Sequence, residues 1–214
     1  MKNKKTYYHL VLDKSGSMES CWQPTTVGFS NQMVKINQLA KEFPEQEFLV
    51  SLCVFDNSIN FVNRPENIRA NPKLNLEHIR PGGATALFDA IGESIRQIEF
   101  SAGEEISNNE ASVVMVILTD GHENASSQYN SSMILEKMEA LRKTEKWSFA
   151  FIGTDFDITQ TANAFRAGKG NSLNMSKANM NAVFSKVNDS LFHYAQSKKT
   201  GSFKTNFFDN EDKS

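Results

Sequence analysis

The sequence predicts a doubly wound α/β domain: a mostly parallel central sheet with one antiparallel edge strand and helices on both faces. Three observations predict it. Short apolar runs alternate along the chain with stretches whose apolar residues recur at helical spacing. One run, Ser112–Leu118, is the most apolar segment of the chain and reads as a central parallel strand covered on both faces. Glu47–Phe55 and Ile59–Asn63 are separated only by Asp56-Asn57-Ser58, a link short enough to make them an antiparallel hairpin.

In chain order, the first strand spans about Thr6 to Leu12 and ends in Asp13-Lys14-Ser15-Gly16-Ser17. A helix is expected from about Thr25 to Phe43, because Phe29, Met33, Ile36 and Ala40 share one face and Pro44 stops it. The hairpin follows. Arg64 to Ile79 carries Pro65 and Pro72 and reads as irregular. Gly82-Gly83 leads into a helix expected from Ala84 to about Phe100, with Phe88, Ile91, Ile95 and Ile98 inward. Ser101 to Glu110 reads as an acidic loop. The central strand ends at Thr119-Asp120-Gly121, and a polar loop runs from His122 to Asn130. A helix from Ser131 to about Lys146 and a strand from Trp147 to Ile152 come next. Asp157 is placed to cap a short helix reaching Arg166. Asn171 to Met175 reads as a short edge strand. The last helix runs from about Ser176 to Ser197, with Met180, Phe184, Val187, Leu191 and Tyr194 on one stripe.

Residues 1–197 therefore form the expected domain. Residues 198–214 form a polar tail, expected to be flexible, in which Phe203, Phe207 and Phe208 are the available anchors. The chain has 214 residues, 39% of them hydrophobic, which suffices for one well-buried core, and no Pro/Gly/Ser-rich linker divides it. A net charge of -2 argues against nucleic acid or an anionic membrane as partner. The basic N-terminus leads into an apolar run that is short and ends in Asp13, unlike a signal peptide, and no stretch approaches a membrane span. A cytoplasmic location is the expectation. Cys53 lies within a strand and reads as a small core hydrophobe, and no His stands near Cys21 to activate it.

Asp13, Ser15 and Ser17 place a carboxylate and two hydroxyls at alternate positions on the turn after a strand. Such hard oxygens suit Mg²⁺. Ligands in open α/β sheets bind at the carboxyl ends of strands. Thr85 follows the glycine loop at a helix entrance, and Asp120 ends the most apolar strand. If the first and central strands are neighbours, Asp13 and Asp120 face one another. Two carboxylates held that close repel, and a divalent cation removes the repulsion.

With these motifs in this order, the chain resembles von Willebrand factor type A domains carrying a complete metal-ion-dependent adhesion site. The family's Asp-x-Ser-x-Ser motif matches Asp13, Ser15 and Ser17. Its threonine matches Thr85 in GGATALFDAI, and its second aspartate matches Asp120 in VVMVILTDG. The resemblance implies Mg²⁺, with Mn²⁺ or Ca²⁺ as alternatives, held by Asp13, Ser15, Ser17, Thr85 and Asp120 directly or through water. It also implies an open coordination position filled by an Asp or Glu carboxylate of a protein partner, within a larger assembly. An AAA+ ATPase is a partner by family analogy only.

At the rim, His122, Glu123 and Asn124 read either as a loop shaping the site or as a solvated turn. Met18 and Trp22 read as packing for the first loop or as an apolar contact surface. Asp89 reads as a polar helix residue, His9 as lying at the edge of the core, and His193 as a surface residue. Asp155 and Asp157 bound a loop at another strand end. No catalytic motif appears: the chain lacks GxxxxGK[ST], GxSxG and HExxH. The expected function is Mg²⁺-dependent protein binding without catalysis. A metal-dependent hydrolase using the same ion, and an RNA–protein scaffold, are the alternatives.

Overall fold

The computed structural model describes residues 4–70, 74–153, 169–176, 178–201 and 206–208. Among them, the strands form one seven-stranded sheet. They are β1 (Lys5–Asp13), β2 (Glu47–Phe55), β3 (Ile59–Phe61), β4 (Glu66–Asn67), β5 (Ala111–Leu118), β6 (Trp147–Gly153) and β7 (Ser172–Asn174). The order is β3-β2-β1-β5-β6-β7, with β4 also pairing with β2. β1, β2, β5, β6 and β7 run parallel, and β3 and β4 are antiparallel to β2. The predicted fold class is the one observed. β5 is buried along its whole length, as the apolar run Val113–Leu118 requires.

Four helices flank the sheet among the described residues: α1 (Trp22–Glu42), α2 (Leu87–Ser107), α3 (Ser131–Arg142) and α4 (Met180–Lys199). α1 and α4 cover one face, where Phe29, Ile36, Val187 and Leu191 meet Leu10, Leu12 and Val116. α2 and α3 cover the other, where Ile91, Ile95 and Met138 meet Val11, Met115 and Ile117. Alternate residues of β1 and β5 feed the two cores, the period-two pattern of a strand buried on both sides.

Several element bounds differ from expectation for identifiable reasons. α1 begins at Trp22 rather than Thr25, because Pro24 is tolerated in a first turn whose N–H groups have no intrahelical partner. A 3₁₀ turn, Gly16–Cys21, joins β1 to it. α2 continues to Ser107 instead of ending near Phe100. Ala102 and Ile106 extend its buried stripe, and the acidic residues between them face outward. One of these, Glu105, pairs with Lys5 Nζ at 2.5 Å and accepts from Tyr7 Oη at 2.7 Å, tying the helix end to β1. α3 stops at Arg142, four residues early, and Glu145 lies in the left-handed region with φ 58°. Within the stretch expected to be irregular, β4 and a 3₁₀ turn at Ile68–Ala70 form. The expected helix from Asp157 to Arg166 and the Asp155–Asp157 loop lie outside the described residues.

α4 runs past Ser197, and Lys198 is buried. Its Nζ donates to Lys5 O at 2.7 Å, Thr6 Oγ1 at 2.9 Å and Ser112 Oγ at 2.9 Å. Burial pushes the Lys198 amine down to about 7. Further on, Phe207 and Phe208 are buried in the α1/α4 core. The Phe208 N–H donates to Gly170 O, and the Phe207 N–H to Asn171 Oδ1.

The chain winds outward from β1 to β2 and then returns to the other side of β1 to begin β5. The strand order thus reverses between β1 and β5. In an open α/β sheet, this switch point opens a crevice at the carboxyl ends of the strands. Leu12 pairs with Leu118 in register, so Asp13 and Thr119-Asp120 emerge side by side there.

Candidate metal centre

Asp13 is the last residue of β1 and is fully buried. Its Oδ1 accepts the Ser15 N–H at 2.6 Å and its Oδ2 accepts the Thr119 hydroxyl at 2.6 Å. Burial pushes the Asp13 carboxyl up to about 6. Those hydrogen bonds act against the rise, and the nearby Asp120 charge adds to it. Among the described residues no salt bridge reaches Asp13. A carboxylate buried this deeply needs a compensating positive charge to remain ionised at little cost.

The hydroxyls gather beside it. Ser15 Oγ lies 3.1 Å from Ser17 Oγ, and Ser17 Oγ donates to Asp120 Oδ1 at 2.6 Å. Gly121 shows how tightly Thr85 joins them. A Cβ at Gly121 would stand 2.7 Å from Thr85 Oγ1, 3.2 Å from Ser17 Oγ and 3.3 Å from Ser15 Oγ. Three hydroxyls from two distant loops therefore close on one point, and only glycine leaves room for them. The structure brings together all five residues that the sequence nominates: Asp13, Ser15, Ser17, Thr85 and Asp120.

The three loops are laced through their backbones. The Gly16 N–H donates to Gly83 O at 3.1 Å, and the Gly82 N–H to Lys14 O at 2.8 Å. Gly83 has φ +80°, and a Cβ there would collide with Asn57 Oδ1 at 2.2 Å, so a glycine is required on both counts. Asn57 Oδ1 takes the Ala84 N–H at 2.8 Å, and Asp56 O takes that of Ala86 at 2.9 Å. Lys14 Nζ forms an ion pair with Asp56, fixing the β2–β3 turn against the first loop.

The loop after Asp120 is built on α2. Ala86 at the helix N-cap makes no side-chain cap, so the early N–H groups of the helix need partners from elsewhere. Glu123 Oε2 accepts the Phe88 N–H at 2.9 Å, and Ser126 Oγ accepts that of Asp89 at 3.1 Å. In return, the Asp89 carboxylate accepts the N–H groups of Ser127, Gln128 and Tyr129 at 2.8, 2.9 and 2.8 Å. Glu123, half-buried, and Asn124, exposed like His122, hold backbone N–H groups of Phe88 and Thr85 at the entrance of α2, so this loop shapes the site and is not merely a solvated turn. Asp89, expected as an ordinary polar helix residue, is buried and organises the loop.

Met18 is buried and Trp22 is 9% exposed, so both pack the first loop and offer little contact surface. Cys21 is buried with its Sγ 3.9 Å from Asp120 Oδ2, and burial pushes its thiol up to about 11. It forms no disulfide with Cys53, also buried. His9 lies fully within the core rather than at its edge. Thr119 and Gly121 were not nominated from the sequence. A threonine immediately before a strand-terminal aspartate was the available signal for the first.

The donor set is two carboxylates and three hydroxyls. Cis oxygens of an octahedral Mg²⁺ with bonds of about 2.1 Å lie about 3.0 Å apart, close to the Ser15–Ser17 separation of 3.1 Å. Among the described residues no group of three or more His, Cys, Asp or Glu could hold a metal, so an ion here would need the hydroxyl oxygens beside the two carboxylates. That set fits a small hard cation and disfavours a soft one.

Neither the protein-family models nor the curated proteins contain a match to this sequence. Solved structures do match. The vWF domain of the type V pili tip protein Mfa5 from Porphyromonas gingivalis aligns with TM-score 0.62 at 10% identity, over 94% of this chain and 97% of that one. Proximal thread matrix protein 1 from the mussel byssus aligns with TM-score 0.60 at 16% identity, over 87% of this chain and 46% of its own length. The same mussel protein has been solved with a zinc-occupied MIDAS motif. A von Willebrand factor type A protein from Catenulispora acidiphila aligns with TM-score 0.53 at 13% identity, over 89% and 43% of the two chains. This chain thus spans about half the length of the mussel and Catenulispora structures. At these identities the likeness is one of fold, and the fold is von Willebrand factor A-like.

Proposed function

We propose that this protein is a Mg²⁺-dependent protein-binding domain. A carboxylate of the partner, from Asp or Glu, completes the coordination of an ion held by Asp13, Ser15, Ser17, Thr85 and Asp120. One observation carries the reading: three hydroxyls and two carboxylates from three separate loops converge beside Gly121 at the switch point of the sheet. Two carboxylates only neutralise Mg²⁺, and the remaining donors are neutral. Mg²⁺ ordinarily keeps several waters, and an exchangeable one yields to an incoming carboxylate. Mn²⁺ or Ca²⁺ would serve the same geometry. The von Willebrand factor A-like fold and the hard donor set support the reading. The proposal includes a cytoplasmic location and a place in a larger assembly. Among the described residues no helix is long and apolar enough to cross a membrane.

A binding role is favoured over hydrolysis by what the rim residues do. Glu123 of the neighbouring loop and Asp89 in the first turn of α2 are both committed to backbone N–H groups and are poorly placed as general bases. A pull-down from source lysate tests the proposal, with arms in Mg²⁺, in EDTA and with Asp13→Ala. Partners retained in the first arm and lost in the other two are expected. Partners equally retained in all three would sink the proposal.

A further inference from the structure

We infer that Asn124 is the positioning residue for Thr85, so that the loop carrying Asp120 also sets the orientation of a second ion ligand. The inference rests on the ion-site reading above. Thr85 has only one side-chain oxygen to offer, and its aim depends on the peptide planes that flank it. Asn124 grips both sides of the residue. Its Oδ1 accepts the Thr85 N–H at 2.8 Å, and its own N–H donates to Thr85 O at 3.0 Å. The Ala125 N–H adds a second donor to the same carbonyl at 3.3 Å. Because the Thr85 N–H is a donor, the oxygen of the Asn124 amide must face it.

The bracket is itself held on both sides. The Glu123 carboxylate takes the N–H groups of Ala125 at 3.0 Å and Ser126 at 2.7 Å and the Ser126 hydroxyl at 2.6 Å, besides that of Phe88. Asp89 fixes the segment from Ser127 to Tyr129. Asn124 therefore cannot follow Thr85 if Thr85 drifts; it holds the threonine to the frame of α2. A ligand whose supporting groups are locked is pre-organised for its ion, and such outer partners typically govern affinity by about 10–100-fold.

The test uses Mn²⁺ as the probe, titrated into the full chain, with urea denaturation of each variant to confirm folding. Asn124→Leu, similar in volume but without the acceptor, is expected to weaken Mn²⁺ binding by about 10–100-fold. Asn124→Asp, which keeps an oxygen toward Thr85, is expected to bind at least as well as wild type. A double-mutant cycle separates positioning from general loop support. In a Thr85→Val background, Asn124→Leu should cost no more than about a further twofold, because the oxygen it aims is gone. Where that background binds too weakly to titrate, amide exchange decides. The Thr85 N–H should exchange at least about tenfold faster in Asn124→Leu and at the wild-type rate in Asn124→Asp. Full additivity of the two substitutions, or wild-type affinity in Asn124→Leu, overturns the inference while leaving the ion site standing. Absence of saturable Mn²⁺ binding to the wild type overturns the ion site itself, and this inference with it.

Discussion

At the scale of single residues, the site depends on groups of two kinds. The oxygen donors could be nominated from sequence because Asp, Ser and Thr at strand ends and glycine turns have direct chemical meaning. The residue that makes room for them could not, and those that hold them could be read only as members of a rim loop. Gly121 reads in sequence as turn punctuation, and only the fold reveals that a methyl group there would press on Thr85 and Ser17. Gly121→Ala is accordingly expected to lower stability by about 1–3 kcal/mol and to weaken ion binding together with it. Urea denaturation and ion titration on the same sample check both effects; an unperturbed protein would show that the hydroxyls are not gathered at that point. His9 gives a prediction of another kind. It is fully buried with Nδ1 2.7 Å from Ser51 Oγ, and burial pushes its imidazole down to about 3 from the ordinary 6.5. As pH falls below 6.5, the unfolded chain takes up a proton that the folded chain refuses until near pH 3. Its contribution is therefore fully present above pH 6.5 and declines between those values, by up to about 1.4 kcal/mol per pH unit. The difference between wild type and His9→Gln, followed by urea denaturation from pH 7 to pH 4, isolates this slope from that of Asp13. A difference that does not vary with pH would contradict it.

At the scale of elements, the sheet was the most legible part of the sequence. β2 lies where its apolar run begins and ends, and β5 differs from expectation only by starting one residue earlier, at Ala111. Helix ends were harder to read, since burial and not composition decides them. The acidic run after Phe100 hid two further turns of α2, because Ala102 and Ile106 still face the core while Glu104 and Glu105 do not. The start of α2 was hidden for the opposite reason: its caps come from Glu123 and Ser126, far away in sequence. The chain beyond α4 presents a similar case. Its polar composition suggested a tail, yet Phe207 is 1% exposed and packs near Tyr194 with ring centroids 6.4 Å apart. Phe207→Ala is expected to cost about 3–5 kcal/mol, as for a core phenylalanine. A change within about 0.5 kcal/mol in urea denaturation would instead mark it as a surface residue.

At the scale of the whole molecule, the winding of the chain positions the chemistry. β1 ends at Asp13 and leads into Ser15 and Ser17, and β5 leads into Asp120. They meet because the strand order reverses between those two strands. Thr85 is drawn in by α2, which packs across the same edge and is laced to both loops. An ion at this point would join the two halves of the sheet's winding, so its binding energy should also appear as stability. The central claim is that the ion is held by these five residues and keeps an open position. Water-proton relaxation during Mn²⁺ titration tests it most directly, since it counts bound ions and senses the exchangeable water on them. The account predicts one saturable Mn²⁺ per chain with enhanced relaxation, lost in Asp13→Ala and in Asp120→Ala. No saturable site, or the same enhancement in both variants, would contradict it.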